Sequence, residues 1–336
     1  MSKIIRIAVD AMGGEGSPKK VIDGIIHNYK KHHEVFYKIF GNKIIIETLL
    51  KNKIPKKCYD IINTDIKVED NDSPLAAAKK KDSSMFLSVL SVKSGDTDII
   101  ISAGNTGALF VIAKLNIEMI ESIGKPALSG LWPNKKGLNI VLDLGANITC
   151  DEKDMLDFSI MGSSLYKSLF PDEDPKVALL NIGSEEMKGN DRIKNSYQII
   201  NNYNQNLFEF KGYVEGNNIM KGDVNVIVTD GFTGNIALKT AEGTANFITH
   251  ELKTALSSST ISKILTFLNM KNLNKFKNKL DPRKYNGAIL IGLNSPVVKS
   301  HGSTDFLGFS NSLDLCVKIV KNKLIDKIKE NINKWE

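Results

Sequence analysis

Six short segments of the chain gather the residue types that hold anions and orient a reacting group. The first is Asp10-Ala11-Met12-Gly13-Gly14-Glu15-Gly16-Ser17-Pro18, after the first apolar run. Ser102-Ala103-Gly104-Asn105-Thr106-Gly107 and Asp143-Leu144-Gly145-Ala146-Asn147 follow later runs. Then come segment 181–190, with Asn181, Gly183 and Lys188, and Asp230-Gly231-Phe232-Thr233-Gly234-Asn235. The last is His301-Gly302-Ser303-Thr304-Asp305. Glycine lets backbone N–H groups approach a ligand, and a helix N-terminus favours an anion. One such loop is ordinary turn chemistry. Six of them, each after an apolar run, point to a polar cleft at one sheet edge, built for a phosphate-bearing ligand.

The residues expected to line that cleft are Asp10, Gly13, Gly14, Asn105, Thr106, Gly107, Asp143, Asn147, Asn181, Gly183, Asp230, Gly231 and Gly234. Lys188 can hold an anion by charge from within a Gly/Asn loop. His301 is the one histidine set in a Gly/Ser loop, whereas His27, His32 and His33 read as solvated and His250 as structural. Neither GxGxxG nor GxxxxGK[ST] occurs, so dinucleotide and P-loop use are unsupported. No GxSxG elbow is present, and Cys58, Cys150 and Cys316 are scattered, with no CxxC and no neighbouring histidine. A disulfide frame, a zinc knuckle and an activated nucleophile are all disfavoured.

The elements that must carry these loops are short and apolar. Strand candidates lie at 4–9, 35–40, 61–68, 99–102, 139–142, 177–181, 224–228 and 288–291, several of them apolar on both faces as in a covered parallel sheet. Helical patterns alternate with them. The clearest has Ser17 as N-cap and Pro18 as first helical residue, with Val21, Ile22, Ile25, Ile26 and Tyr29 on one face. This alternation predicts an α/β fold, a three-layer α/β/α doubly wound architecture with a mostly parallel sheet. No repeat or linker divides residues 1–336, which read as a single catalytic domain. Within it, segment 256–285 interleaves Ile261, Ile264, Leu265, Leu268 and Phe276 with lysines, the pattern of a basic amphipathic helical insert.

Composition narrows the class. Of 336 residues, 42% are hydrophobic and 25% charged, the ordinary globular range. The longest uncharged stretch, 99–113, is too short to span a bilayer, and a polar start disfavours a signal peptide, so a cytoplasmic protein is expected. Lysine and arginine exceed acids by 45 to 38, and arginine occurs only at Arg6, Arg192 and Arg283. A lysine-rich chain so poor in the bidentate cation suits an acidic partner or surface rather than nucleic acid.

Together these segments resemble the bacterial acyl-acyl-carrier-protein:phosphate acyltransferases of phospholipid synthesis. The likeness runs in order through Ile7-Ala8-Val9-Asp10-Ala11-Met12-Gly13-Gly14, Lys79-Lys80-Lys81-Asp82-Ser83-Ser84-Met85, Ser102–Leu109, Leu142–Asn147, Leu180–Gly183 with Glu185, Glu186, Lys188, Gly189 and Asn190, Val214-Glu215-Gly216, Asp230–Asn235 and His301-Gly302-Ser303. Glu15 stands where the family has aspartate, Gly16-Ser17 replaces its usual pair, and the middle of the insert departs from it. The resemblance implies transfer of a fatty acyl group from acyl-carrier protein to inorganic phosphate. It also implies a fold similar to phosphate acetyltransferases and isocitrate/isopropylmalate dehydrogenases, a homodimer, and no metal or organic cofactor.

Such a reaction needs little covalent help. Phosphate is already a nucleophile near neutral pH, and a thiolate leaves readily. Positioning and carbonyl-oxygen stabilisation remain. Backbone N–H groups at 104–107 and 231–235 are expected to supply the latter, with Lys188 as electrostatic partner and Asn235 as side-chain donor; Asn105, Asn147 and His301 orient the substrates. An acidic carrier protein suits the lysine-rich surface, and the insert suits anionic membrane, bringing the enzyme to a membrane glycerol-3-phosphate acyltransferase. Alternatives are a short-chain acyl-CoA donor, a decarboxylating dehydrogenase, which three dispersed arginines disfavour, and a non-catalytic scaffold recruiting carrier protein or acyltransferases.

Overall fold

Apolar runs covered on both faces become the strands, and amphipathic runs become the helices that cover them. The computed structural model describes residues 4–203 and 206–333. Its strands are β1 (Ile5–Asp10), β2 (Val35–Gly41), β3 (Tyr59–Asn63), β4 (Ile99–Ser102), β5 (Ala127–Pro133), β6 (Leu138–Leu142), β7 (Lys176–Asn181), β8 (Glu209–Glu215), β9 (Val226–Val228), β10 (Ala288–Ile291) and β11 (Val297–Lys299). They form one 11-stranded sheet in the order β3-β2-β1-β4-β11-β10-β5-β6-β9-β7-β8. The helices are α1 (Lys19–Tyr29), α2 (Lys43–Leu50), α3 (Pro74–Lys79), α4 (Ser84–Lys93), α5 (Thr106–Asn116), α6 (Glu152–Leu169), α7 (Asp191–Asn201), α8 (Gly231–Leu256), α9 (Thr260–Leu268), α10 (Met270–Lys279), α11 (Phe306–Lys321) and α12 (Leu324–Asn333).

The result is the expected three-layer α/β fold. On one face Ile7, Val9, Ile140 and Val226 pack with Ile22 and Ile25 of α1, Phe158 and Met161 of α6, and Phe309 of α11. On the other, Ala8 and Ile100 pack with Val89 of α4 and Ile112 of α5, while Val141 and Ile227 receive Ala237, Leu238 and Ala241 of α8.

The sheet corrects one expectation about function. Strands β1, β2, β3, β4 and β11 are mutually parallel, but β11–β10, β10–β5 and β5–β6 are antiparallel pairs. Strands β6, β9, β7 and β8 are parallel to one another and so run opposite to the first group. The loops after β1, β4 and β11 therefore leave one edge of the sheet, and those after β6, β9 and β7 leave the other. Six loops do not converge on one edge. The three antiparallel pairings between the groups leave no periodicity signal, because β5, β10 and β11 are short or broken by polar residues.

Local differences have local causes. The strand expected over 61–68 ends at Asn63, after which Thr64 turns away to donate to Asp82 O at 2.6 Å. β5 carries Ser129, Gly130 and Pro133, β8 is an edge strand alternating with charges, and β11 has three residues, so none reads as a strand in sequence. Ser17 is not the N-cap of α1. Its hydroxyl donates to Gly13 O at 2.6 Å and the helix starts at Lys19, with Val21, Ile22 and Ile25 buried as predicted. His32 is not simply solvated but lies 3.2 Å from Asp314, His27 packs on Phe306, and His250 is exposed on α8.

Candidate functional site

At the first edge the loops touch through bare backbone. Asp10 ends β1 fully buried and accepts hydrogen bonds from the hydroxyls of Ser84 and Ser102, both at 2.6 Å, and from Met12 N at 3.2 Å. Burial pushes its carboxyl up from the usual range, and the two hydroxyls pull it back. A Cβ on Gly13 would sit 2.5 Å from Gly104 N, so the β1 and β4 loops pack without side chains there. Gly14, at φ +82°, faces Ala103 O, Gly302 O and Lys20 Nζ.

Two lysines outside the predicted set, Lys20 and Lys299, enter this edge. Lys20 turns inward from α1 and donates to Gly302 O at 2.6 Å, whereas its neighbour Lys19 pairs with Asp23 in solvent. Lys299, the last residue of β11, donates to Ser300 O and lies 3.5 Å from Ala103 O. Burial, and next the charge of Lys20, push the Lys299 ammonium down to about 8; burial likewise lowers Lys20. The signal for Lys299 was present, a lysine ending the apolar run Pro296-Val297-Val298. Lys20 gave none.

The predicted residues around them hold the loops. Asn105 caps α5 by accepting from Ala108 N at 3.0 Å, and its amide donates to Asp70 O at 2.9 Å and Asp72 O at 3.1 Å. Thr106 and Gly107 are not loop residues but the first turn of α5. His301 sets its Nδ1 3.0 Å from Ser303 Oγ, and its backbone N donates to Asn286. Partial burial and then Lys299 push its imidazole below the ordinary value.

At the second edge one carboxylate organises everything. Asp143 accepts from the backbone N of Leu128, Gly145, Ala146 and Asn147 and from the Asn147 amide, at 2.7–3.2 Å. That amide also donates to Pro126 O at 2.7 Å. Asp230 caps α8 through Thr233 N at 2.7 Å, so Gly231, Gly234 and Asn235 belong to its first turn rather than to a loop. This turn presses onto the β6 loop, where a Cβ on Gly234 would lie 2.0 Å from Asp143 O.

Some of the backbone donors expected to stabilise an oxyanion are spent on this packing. Gly231 N donates to Asn147 O, Gly234 N to Asp230 O, and Gly104 N to Ser102 Oγ. Two side chains remain unspent. Lys188 is exposed and makes no ion pair among the described residues, and Asn235 is exposed, placed so that a Cβ on Gly145 would lie 3.5 Å from its own. The β7–β9 register, Leu179 beside Val228, puts Asn181 level with Asp230, so the Lys188 loop and the α8 start share this edge. Asn181 braces that loop by donating to Lys188 O at 3.1 Å and accepting from Ile182 N, while Gly183 lies against the Lys188 stem.

Helix α8 begins at the second edge, and the charges of its Lys239 and Glu242 act on His301. Among the described residues no group of three or more His, Cys, Asp or Glu is placed to hold a metal ion, and no helix is long and apolar enough to cross a membrane.

Comparison with known proteins gives the chain a family and a fold. A family described as fatty acid synthesis protein matches residues 5–327. A phosphate acyltransferase from Pelagibacter ubique is 63% identical over 333 residues, covering 99% of this chain and 100% of that protein. One from Maricaulis maris is 39% identical over 341 residues, covering 100% and 97%. Among solved structures, a phosphotransacetylase from Streptococcus pyogenes superposes with a TM-score of 0.64 at 16% identity, covering 97% of this chain and 95% of that one. A branched-chain phosphotransacylase from Enterococcus faecalis reaches 0.55 at 13% identity, covering 94% and 99%. These last two likenesses show the fold.

Proposed function

The chain belongs to the fatty acid synthesis protein family, whose relatives are phosphate acyltransferases, and on that premise we propose that it transfers a long-chain fatty acyl group from acyl-carrier protein to inorganic phosphate. The 63% identity over the whole chain carries this reading. A phosphate oxygen attacks the thioester carbonyl carbon, a C–O bond forms, the C–S bond breaks, and the carrier thiolate leaves with the electron pair. The products are acyl phosphate and free carrier thiol.

The site residues receive roles by what they have left to give. Lys188 balances charge on the phosphate or on the carbonyl oxygen as it becomes anionic, and the Asn235 amide donates to that oxygen. His301 orients a substrate from the other edge. Asp10, Asp143, Asn147 and Asn181 act through the loops they tie. Asn105, Thr106 and Gly107 with Gly13 and Gly14 shape the first edge; Gly183, Asp230, Gly231 and Gly234 shape the second.

A net charge of +7 supports an acidic carrier protein as donor. Exposed Phe247, Ile248 and Leu252 on α8 and Ile261, Ile264, Leu265 and Leu268 on α9 form an apolar surface that needs covering. It supports a homodimer and contact with anionic membrane, where a glycerol-3-phosphate acyltransferase would take the product. Anionic liposomes should sediment the protein, and Leu265→Glu should weaken this.

The test is thiol release from palmitoyl-acyl-carrier protein with and without phosphate, with palmitoyl-CoA as competing donor. Phosphate-dependent release from the carrier-linked donor, with little from CoA, is expected. No release from either, by a folded protein that binds carrier protein, would leave the scaffold.

A further inference from the structure

Neighbouring lysines of one helix have opposite surroundings. Lys19 pairs with Asp23 at 2.6 Å in solvent, while Lys20 is 8% exposed and has no carboxylate at ion-pair distance among the described residues. Lys299, on another element, is half-buried and likewise has no carboxylate at ion-pair distance among the described residues. Both ammonium groups meet only backbone carbonyls, Gly302 O for Lys20 and Ala103 O and Ser300 O for Lys299; Lys20 Nζ lies beside Gly14, whose missing side chain would also meet Gly302 O and Ala103 O. Their charges repel, and the nearest acids, Glu15, Asp70 and Asp10, act on them only from a distance.

Drawing two cations out of water to face each other is unfavourable unless an anion repays it. Lys19 ends in solvent, whereas Lys20 ends against Gly302 O, and Lys299 closes a strand of valines. The walls are also right for a tetrahedral oxyanion. Gly14 presents backbone without a side chain, and the α5 N-terminus stands at the same edge. Lysine suits such a ligand as a point charge that does not dictate a planar fork.

We propose that Lys20 and Lys299 form a binding site for a phosphoryl group, at the sheet edge opposite Lys188 and Asn235. Two sources share this chemistry under the acyltransferase reading on which the inference rests: the inorganic phosphate acceptor, and the phosphodiester of the carrier's phosphopantetheine arm. Lys239 of α8, one turn from Asn235, and Lys299 both act electrostatically on His301.

The test is a 31P NMR titration of the full chain with inorganic phosphate and, separately, with 4′-phosphopantetheine. Wild type binds at least one of them. Lys20→Met/Lys299→Met weakens that binding about 10- to 100-fold, the loss expected for charge-assisted hydrogen bonds. Lys20→Arg/Lys299→Arg retains most of it, and Lys19→Met changes nothing. Thermal melts establish that each variant is folded. Loss for phosphate alone assigns the site to the acceptor, and loss for phosphopantetheine alone assigns it to the donor arm. Unchanged binding of both ligands by the folded Met double variant, or binding of neither by wild type, overturns the proposal. Lysine-dependent phosphate binding by a protein that releases no thiol from acyl-carrier protein upholds the site and refutes the acyltransferase reading.

Discussion

The two edges of the sheet use the same residue types in opposite ways. At the first, the cations Lys20 and Lys299 are withdrawn among carbonyls and kept from carboxylates. At the second, Lys188 is exposed on a loop, and the buried charge is Asp143, an anion satisfied by five N–H donors. The first edge stores unfavourable electrostatics that a ligand can relieve. The second has settled its electrostatics internally and offers one exposed cation and one amide. Binding and chemistry make different demands: a fixed well for the first, and for the second groups able to follow charge as it shifts from ground state to transition state.

This contrast can be broken at either end. The largest effect belongs to Lys188→Ala, which should lower kcat by about 10²–10³-fold with an unchanged melting temperature. Normal turnover by that variant would remove Lys188 from the chemistry. Next is Gly234→Ala. Its Cβ has no room against Asp143 O, a backbone atom that cannot swing aside, so urea unfolding should show a loss of about 3 kcal/mol.

Third is Lys299→Met, predicted to stabilise. The Lys299 ammonium titrates near 8 when folded, below its unfolded value, so its burial penalty is present in full below pH 8 and fades as pH rises toward 10.5. In phosphate-free buffer the variant should gain on the order of 2 kcal/mol at pH 7, with the gain gone near pH 10.5. Parallel stability curves for the two proteins would contradict a buried charged lysine. Smallest is Lys136→Met, which removes an exposed pair with Asp223 and should leave the denaturation midpoint where it was.

The sequence made the layers of the fold legible and hid their direction. Runs such as Ile99–Ser102 and helices such as α1 are written in hydrophobic period, a local property. Strand direction depends on the pairing of β11, β10 and β5, which are short, interrupted and joined at long range, so the split into two edges could not be read. Site residues divide similarly. Gly13, Gly234 and Asp143 announce themselves because a turn or close approach restricts residue type. The capping roles of Asn105 and Asp230 are also compatible with the sequence, but the same residue types serve loops, so the N–H groups that the caps and loop packing occupy do not show in it. Lys20 was invisible, since nothing local distinguishes it from Lys19, and only the approach of Gly302 from the far end of the chain gives it a role.

The most direct test of the account is the fate of phosphate itself. Palmitoyl-acyl-carrier protein and inorganic phosphate, incubated with the protein and followed by 31P NMR, should give an acyl phosphate resonance matching the carrier thiol released, and neither product when phosphate is omitted. Thiol release that proceeds without phosphate, or without a new phosphorus resonance, would contradict acyl transfer to phosphate.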